Sequence, residues 1–382
     1  MEKNTNYLAE KYNVDIAVAN LQASKVFNDP ELSVDYTNNQ DWYMWMGQSL
    51  ELGLSYDLDL AGVRRARIRT ARSEKEVTEA SVAAYLSSLR LEAAEAWAEA
   101  WKLKRSVEVM EASVADMLQI AQSDSIRLSV GDVGRTDATQ SRLEAQTLQG
   151  ELVSLKAEYA NALMSLSFLC GGESITALAE ELLPFRAMTI SETDAYALAE
   201  ANRADLKAAE LSQTLSENNL KLVKASRAME MSLSVGYSYN KEVRNEIAPA
   251  PKFNGLSVGI AIPLKFSSLN KGEKRAAQME VLQSQKYYES AQLQVHMEAA
   301  QAYNAYHAAR QVLARYDSNL LQDARQIAES RKIGYMSGES TLLELLTAQQ
   351  TYRDVMQAYI DACCNQYTAQ AQLEYAIGYS AE

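Results

Sequence analysis

The 382-residue sequence predicts a mainly α fold with some β, in which a strand hairpin and a long helical hairpin each occur twice. Gly131 and Gly338 stand 207 residues apart, and Gly171 and Gly378 have the same spacing. Four segments alternate strictly between apolar and polar residues, and two much longer segments are almost free of Gly and Pro. We therefore predict a tandem duplication whose repeat is too large for a solenoid module.

The first copy opens with helical sequence at residues 1–28 and continues with a strand hairpin at 29–60. Leu32, Val34 and Tyr36 alternate with polar residues in its first strand. The second strand runs from 49 to 60 and has apolar side chains at every other position: Leu50, Leu52, Leu54, Tyr56, Leu58 and Leu60. A period of two with one apolar and one polar face predicts β-strands.

The second copy repeats this order, with helical sequence at 193–229 and a strand hairpin at 230–266. Its first strand covers residues 231–240. Its second covers 256–264, with Val258, Ile260 and Ile262 on the apolar face and small or polar residues between them. Both copies are therefore predicted as strand, loop, strand.

A soluble, half-buried sheet gives the same alternation, but four such strands favour a wall that crosses a bilayer. The lipid-facing side chains are then predicted to be Leu50, Leu52, Leu54, Tyr56, Val258, Ile260 and Ile262. Aromatic residues in the two joining loops, Trp42, Tyr43, Trp45 and Phe253, suit an interfacial girdle. Four strands cannot close a barrel and an open edge in lipid is costly, so the sequence predicts an oligomer that shares one barrel.

The remaining sequence is helical at 61–170 and at 267–379. Residues 64–128 contain neither Gly nor Pro and predict a rod of roughly 100 Å, and 272–335 predict a second rod. Each rod turns at a short tip, 129–136 or 336–341, and returns as a helix of about 35 residues. An irregular connector is predicted at 171–192. A soluble coiled coil has the same helical pattern, so the strands distinguish the two interpretations.

Composition excludes several functions. The formal net charge of −13 argues against nucleic-acid binding, which needs clustered Lys and Arg, and an acidic lumen favours cations. The sequence contains no run of 18 apolar residues, so it predicts no transmembrane helix. No nucleophile, base and orienting group occur in a pattern that indicates an enzyme.

We predict neither a cofactor nor a metal site. Cys363 and Cys364 are adjacent and have no neighbouring histidine, so they are interpreted, with Cys170, as buried small apolar residues. His296 and His307 lie eleven residues apart, and two ligands do not complete a metal site. Met44 and Met46 flank Trp45 in a loop, where an interface role outweighs metal binding.

The chain resembles TolC-like outer-membrane efflux proteins over nearly its full length. Residues 58–62 and 262–266 end the strand pairs and lead into basic, alanine-containing helix starts. Residues 333–349 resemble the family's second tip, and 373–378 its terminal helix end. No single motif is diagnostic, but their order and duplicated spacing are.

The resemblance implies a homotrimer with a 12-stranded outer-membrane β-barrel continued by a 12-helix periplasmic α-barrel. It implies a passive export duct that docks onto a periplasmic adaptor and an inner-membrane pump. The strand ends and the Gln- and Ala-rich tips are more similar to heavy-metal-type members than to the founding type. The implied location is the outer membrane of a Gram-negative bacterium, extending into the periplasm.

The resemblance also suggests tip residues. Tyr335 matches a tyrosine that helps to hold the closed entrance, Asp137 an acid of the same network, and Glu344 a lumen-facing acid. The family's arginine is replaced by Ser340 and a second acid by Thr347, which makes Arg135 the candidate partner of Glu344. The residues expected to dock the adaptor are those of the two turns: Gly131, Asp132, Val133, Gly338, Glu339 and Ser340. Ordinary solvated tip residues remain the alternative interpretation.

The first residues, Met1 to Asn6, are polar and show no secretory signal, so we expect the native start to be missing from this chain.

Two other protein classes stay open at this stage. A periplasmic adaptor or other soluble helical scaffold would bind partners and conduct nothing, although an adaptor carries one long hairpin and this chain carries two. A soluble pore-forming toxin would convert from monomer to pore.

Overall fold

The computed structural model describes residues 3–39, 46–179, 183–186, 188–227, 231–263, 271–316 and 318–379. Trp42, Tyr43, Met44 and Trp45 of the first strand-joining loop, and the predicted strand end at 264–266, lie outside these ranges. The chain divides into two compact units. The tip unit comprises Met1–Lys11, Val82–Leu206 and Gln292–Glu382, and the strand unit comprises Tyr12–Ser81 and Lys207–Ala291.

The strand unit contains one antiparallel four-stranded sheet, and its strands lie in chain order. The strands are β1 (Glu31–Asn38), β2 (Gln48–Leu58), β3 (Met231–Asn240) and β4 (Phe253–Ala261). All four predicted strands are therefore confirmed, within a few residues at their ends. Pairing of β2 with β3 joins the two repeats, so that each repeat contributes one hairpin to a continuous sheet.

The first repeat has three helices: α1 (Thr5–Ser24), α2 (Val63–Ser129) and α3 (Arg135–Leu169). The predicted uninterrupted rod is confirmed by the 67 residues of α2, and the return helix by the 35 residues of α3. The described parts of the connector, 171–179, 183–186 and 188–191, contain no helix.

The second repeat has more helices than the sequence predicted. The segment 193–229 is divided into α4 (Glu192–Asn202) and α5 (Ala204–Ser226), because the backbone of Arg203 is extended, with φ −68° and ψ 123°. The Arg203 guanidinium is buried and pairs with Asp205 and Glu298, and these ion pairs stabilise the interruption.

The second rod was also predicted to be continuous, and this was wrong. It consists of α6 (Lys271–Leu313) and α7 (Ser318–Ser337), followed by the return helix α8 (Leu342–Ala376). At the interruption, Arg315 and Tyr316 donate their amides to carbonyls three residues earlier, which tightens the last turn of α6. The chain is described again from Ser318, where α7 begins.

The duplicated glycines share one physical role. Gly131, Gly171, Gly338 and Gly378 all have positive φ, between 66° and 89°. At each one, the glycine amide donates to the carbonyl three residues back, and the next amide donates to the carbonyl five residues back. This is the Schellman arrangement, which favours glycine because other residues are strained at positive φ. It explains why glycine recurs at these positions in both repeats.

The core of the tip unit next to the two turns is formed by α2, α3, α7 and α8. Its buried residues are Val114, Met117, Ile120, Ala145, Leu148, Tyr335, Leu342 and Leu345. Ion pairs connect the hairpins around this core, namely Lys332 with Asp116 at 2.6 Å and Arg353 with Glu144 at 3.6 Å. Within the part of the chain that the structure describes, no helix combines the length and apolar character needed to cross a bilayer.

Candidate functional site

The sheet of the strand unit separates apolar from polar side chains along most of its register. At the ends of the strands, Asn38, Gln48 and Asn254 lie on the apolar face. Phe253, which was predicted in a joining loop, begins β4 on the polar face. One row across the four strands consists of Leu32, Leu54, Val235 and Val258. Neighbouring rows on the same face carry Leu50, Leu52, Tyr237, Leu256 and Ile260, which are also exposed in the single chain. Tyr56 is half-buried, and Ile262, just beyond β4, is exposed. Such an extensive exposed apolar surface indicates contact with lipid or protein.

The opposite face of the sheet is small and polar. Its central row is Ser33, Gly53, Gly236 and Ser257. A Cβ added to Gly236 would lie 2.6 Å from Ser257 Oγ, so the serine occupies the space that the glycine leaves. The adjacent row places the carboxylates of Asp35 and Glu51 directly opposite each other on β1 and β2. This face therefore carries mainly small, polar and acidic side chains.

At the tip, the hydroxyl of Tyr335 donates a hydrogen bond of 2.9 Å to Asp124 Oδ1. Tyr335 is 6% exposed and Asp124 is fully buried, so the bond is shielded from water. Burial, followed by the bond to Asp124, raises the pKa of Tyr335, so the hydroxyl keeps its proton. The other carboxylate oxygen of Asp124, Oδ2, is buried without a hydrogen-bond partner in the structure.

Sequence reasoning missed Asp124. Met117 and Ile120 are buried on the same face of α2, and Asp124 follows at the next helical interval, so the carboxylate occupies a core position. An acidic residue at an apolar-face position was the available signal. Tyr335 is hydrogen-bonded to Asp124, and Asp137, the acid predicted for the same network, is exposed in the first turn of α3. The place of Asp137 in the network stays a prediction.

Arg127 lies one turn after Asp124 and was also missed. Its Nε donates to Asp132 Oδ2 at 2.7 Å, and its guanidinium carbon lies 5.6 Å from the centre of the Tyr335 ring. Its Nη1 lies 3.4 Å from the Tyr335 carbonyl oxygen. Arg127 therefore connects the first turn, through Asp132, to the end of α7.

The second tip is organised by a capping box at the start of α8. The Thr341 amide donates to Glu344 Oε2 at 2.9 Å, and the Glu344 amide donates to Thr341 Oγ1 at 3.3 Å. The hydrogen bond from the Thr341 backbone lowers the pKa of Glu344. The charge partner of Glu344 is Arg331, at 3.8 Å, and not Arg135, which is exposed in the first turn of α3. The predicted pairing of Glu344 with Arg135 is not made within one chain, and it stays a prediction.

The six residues predicted to dock an adaptor all lie in the two turns. Gly131, Asp132, Gly338 and Glu339 are exposed, and Val133 and Ser340 are half-buried. Ser340 Oγ lies 3.5 Å from Arg331 Nη1. The turns are therefore accessible in the single chain, and each exposes a carboxylate directly after its Schellman glycine.

Cysteines and histidines contribute to packing. Cys363 and Cys364 are buried free thiols, and burial raises the pKa of both, whereas Cys170 is only half-buried. His296 contacts the ring of Tyr196, and His307 contacts the rings of Tyr303 and Tyr306. In the described ranges, no three His, Cys, Asp or Glu side chains are grouped so that they could hold a metal ion.

Comparison with known proteins gives the family. A family-wide sequence profile described as "Outer membrane efflux protein" matches residues 5–172 and 195–379, which is most of the chain. The chain belongs to the outer membrane efflux protein family. Proteins of this family are channels of the Gram-negative outer membrane that extend into the periplasm, and they are not enzymes.

Individual outer membrane efflux proteins are distant relatives of the chain. The cobalt-zinc-cadmium resistance protein CzcC of Cupriavidus metallidurans is 22% identical over 378 residues, covering 98% of this chain and 87% of the relative. The outer membrane protein TolC of Vibrio cholerae is 20% identical over 315 residues, covering 81% of this chain and 72% of the relative.

Solved structures show the same fold. The outer-membrane channel OprN superimposes with a TM-score of 0.81 at 19% identity, covering 99% of this chain and 88% of that chain. CusC superimposes with a TM-score of 0.79 at 18% identity, covering 98% and 89%. The TolC-like fold predicted from the strand and tip motifs is therefore confirmed.

Proposed function

We infer that this chain forms the outer-membrane channel of a tripartite efflux system and acts as a passive export duct. The observation that carries this proposal is the four-stranded sheet, whose rows are apolar on one face and small, polar or acidic on the other. A barrel wall needs lipid-facing and water-facing residues in strict alternation. Because the chain belongs to the outer membrane efflux protein family, we assign this wall to an export channel.

The proposed assembly is a homotrimer. The outer strands of the sheet, β1 and β4, each pair on one side only among the described strands. An unpaired strand edge in hydrocarbon leaves backbone amides and carbonyls without partners, which costs several kcal/mol per group. Joining β4 of one protomer to β1 of the next removes both edges. Three copies then supply a 12-stranded barrel and a 12-helix periplasmic tunnel.

The two turns are the proposed entrance. Tyr335, Asp137, Glu344 and Arg135 are proposed to line or hold the closed end, and the exposed residues of both turns are proposed to dock a periplasmic adaptor that connects to an inner-membrane pump. The buried bond between Tyr335 and Asp124 supports this assignment, because it fixes the end of α7 against α2. Each exposed turn carries an acidic residue, which suits a partner with basic groups.

Cations are the proposed cargo. The polar face of the sheet presents Asp35 and Glu51 on opposing positions, and trimerisation repeats this pair three times around the lumen. The similarity to a cobalt-zinc-cadmium resistance protein supports divalent metal ions as the first candidates. Organic cations are the second class to test.

The function can be tested in the bacterium from which the gene derives. Deleting the gene should lower the concentration of Co²⁺, Zn²⁺ or Cd²⁺ that stops growth, and expression of the wild-type gene should restore it. A matched pair of variants introduces the same residue at neighbouring positions. When the two proteins are expressed at equal level, Leu54→Arg should fail to restore tolerance, whereas Ser55→Arg should restore it. Unchanged tolerance of the deletion strain to both metals and organic cations would argue against export.

A further inference from the structure

The buried carboxylate of Asp124 has more hydrogen-bonding capacity than the structure uses. Oδ1 accepts from the Tyr335 hydroxyl, and Oδ2 is buried without a partner. A buried carboxylate oxygen without a donor is unfavourable, so a cationic side chain within reach would be attracted to it. Asp124 is fully buried, which excludes bulk water as an easy substitute.

Arg127 is that cationic side chain. It follows Asp124 by three residues on α2, and residues at this spacing lie on the same helix face and can interact. Its guanidinium already lies beside the Tyr335 ring, 5.6 Å from the ring centre. In this structure, however, Nε of Arg127 is engaged by Asp132 in the first turn, at 2.7 Å. Two carboxylates, one in the turn and one in the core, therefore compete for one guanidinium.

The two positions of Arg127 differ in exposure. The Asp132 side chain is 59% exposed and the Arg127 side chain 21%. An ion pair at such an exposed site contributes little to stability, because water screens it. The alternative pair with Asp124 lies in the core, where attraction is stronger but desolvation opposes it. At Asp124 the stronger attraction and the cost of desolvation oppose each other, and a two-state element can be built on such a balance.

We propose that Arg127 is a two-position switch that transmits occupancy of the first turn to the bond between Tyr335 and Asp124. When Asp132 is neutralised, as by a basic group of a docked partner, Arg127 turns to Asp124 Oδ2. The guanidinium then partly neutralises the carboxylate from its second oxygen. This weakens the hydrogen bond that Oδ1 accepts from the Tyr335 hydroxyl, because a charged acceptor binds more strongly than a neutralised one, and α7 loosens from α2. The proposal rests on the proposed function, because it gives the tip a means of opening the entrance.

The duplication provides an internal control. Glu339 occupies the position of Asp132 in the second repeat, directly after the tip glycine, and is likewise exposed. The positions equivalent to Asp124 and Arg127 are Arg331 and Gly334, so the second tip lacks both the buried carboxylate and the arginine. Neutralising Asp132 should therefore act on the switch, whereas neutralising Glu339 should not.

The first measurement is single-channel recording of purified protein in planar lipid bilayers. Asp132→Asn should raise the fraction of time spent open by about twofold to fivefold, the range expected for loss of an exposed ion pair. Glu339→Gln should leave it unchanged. Adding Asp132→Asn to Asp124→Asn, or to Arg127→Gln, should cause no further rise over that single variant, since each background lacks one partner of the new contact. Equal effects of Asp132→Asn with and without Asp124 would overturn the switch.

A second measurement does not depend on conduction. In a cryo-electron microscopy structure of Asp132→Asn, a guanidinium nitrogen of Arg127 should lie about 3 Å from Asp124 Oδ2. An Arg127 side chain that points to solvent, with the Tyr335 bond intact, would contradict the proposal. If Arg127 moves as expected but no variant carries current, the switch stands and the proposed channel function fails, so the two failures can be told apart.

Discussion

At the scale of single residues, the tip depends on a buried polar contact and on two exposed charge pairs. The contact between Tyr335 and Asp124 is shielded by the apolar core, and this makes it worth more than a surface hydrogen bond. The pairs of Arg127 with Asp132 and of Arg331 with Glu344 lie at the exposed turns. The buried contact therefore holds α7 against α2, and the two charge pairs contribute to the conformation of the turns.

Replacing Tyr335 by Phe tests the buried contact. The change leaves both oxygens of Asp124 without a donor, which should destabilise the tip unit by about 1–3 kcal/mol. Thermal unfolding and amide hydrogen exchange of α7 provide the measurement. Tyr12→Phe is the matched control, because Tyr12 is 66% exposed. Equal stability of the two variants would show that the buried hydrogen bond does not hold α7.

The capping box at Thr341 predicts a pH dependence. The folded state lowers the pKa of Glu344, so its stabilising contribution is present above the pKa of the unfolded chain and is lost as pH falls through the lower, folded pKa. Thermal midpoints of wild type and Glu344→Gln should therefore differ near about pH 7 and converge near about pH 3. Glu339→Gln removes a carboxylate from the same tip outside the capping box and serves as the control variant. A constant gap between wild type and Glu344→Gln would refute the role of the charge.

The tip residues show what sequence can provide at this scale. Tyr335 was selected through the resemblance, and its buried position agrees with a structural role. Asp124 could have been found, because it continues the buried stripe of Met117 and Ile120. The pairing of Glu344 with Arg331 could not, since it depends on how the turn at Gly338 folds the end of α7 towards the start of α8.

At the scale of secondary-structure elements, the four Schellman turns set where the hairpins end. The turn at Gly338 leaves open space where a Cβ would be, whereas a Cβ at Gly378 would lie 2.7 Å from the backbone carbon of Asn202. Positive φ therefore constrains both glycines, and close packing constrains only Gly378. Substitutions at Gly338 therefore report backbone strain alone, whereas substitutions at Gly378 report strain together with steric contact.

Alanine substitution at these glycines gives a graded prediction. Gly338→Ala should cost about 1–2 kcal/mol, the strain of a left-handed residue with a Cβ. Gly378→Ala should cost clearly more, because the backbone of residues 202 and 203 must also move. Thermal unfolding in detergent measures both. If Gly338→Ala proved as damaging as Gly378→Ala, close packing at Gly378 would have no measurable role.

The strands give a second graded prediction. Leu54 lies on the apolar face and its neighbour Ser55 on the polar face of the same strand. Arg at position 54 should cost about 2–4 kcal/mol of barrel stability near the bilayer midplane, while Arg at 55 should be tolerated. Refolding into detergent or lipid measures the difference. Equal tolerance at both positions would contradict a lipid-facing sheet.

The elements differ in how well they could be predicted. The strands and return helices follow from local patterns, namely a period of two and a terminal glycine, and both were predicted closely. The interruptions at Arg203 and after Leu313 were not. The first is stabilised by ion pairs with Asp205 and Glu298, and Glu298 is distant in sequence, so no local pattern reports it. The second occurs at the tightened last turn of α6, where the local sequence resembles ordinary solvated helix sequence.

At the scale of the whole molecule, the four described strands form an open sheet with two unpaired edges. The exposed apolar face and the two strand edges favour an assembly of several copies, and the proteins of the family are outer-membrane channels. Trimerisation, docking and export are proposals that this geometry supports. They share one requirement, which is a continuous water-filled path through the assembled protein.

The most direct test of that requirement is the conductance of purified protein in a planar lipid bilayer. If the chain forms a channel, we expect discrete, small openings for the wild type. We expect larger or longer openings for the double variant Asp137→Ala with Tyr335→Phe, which removes proposed contacts at the closed end in each of three protomers. Absence of current from both proteins, after insertion has been verified, would contradict the central claim that this chain forms a channel.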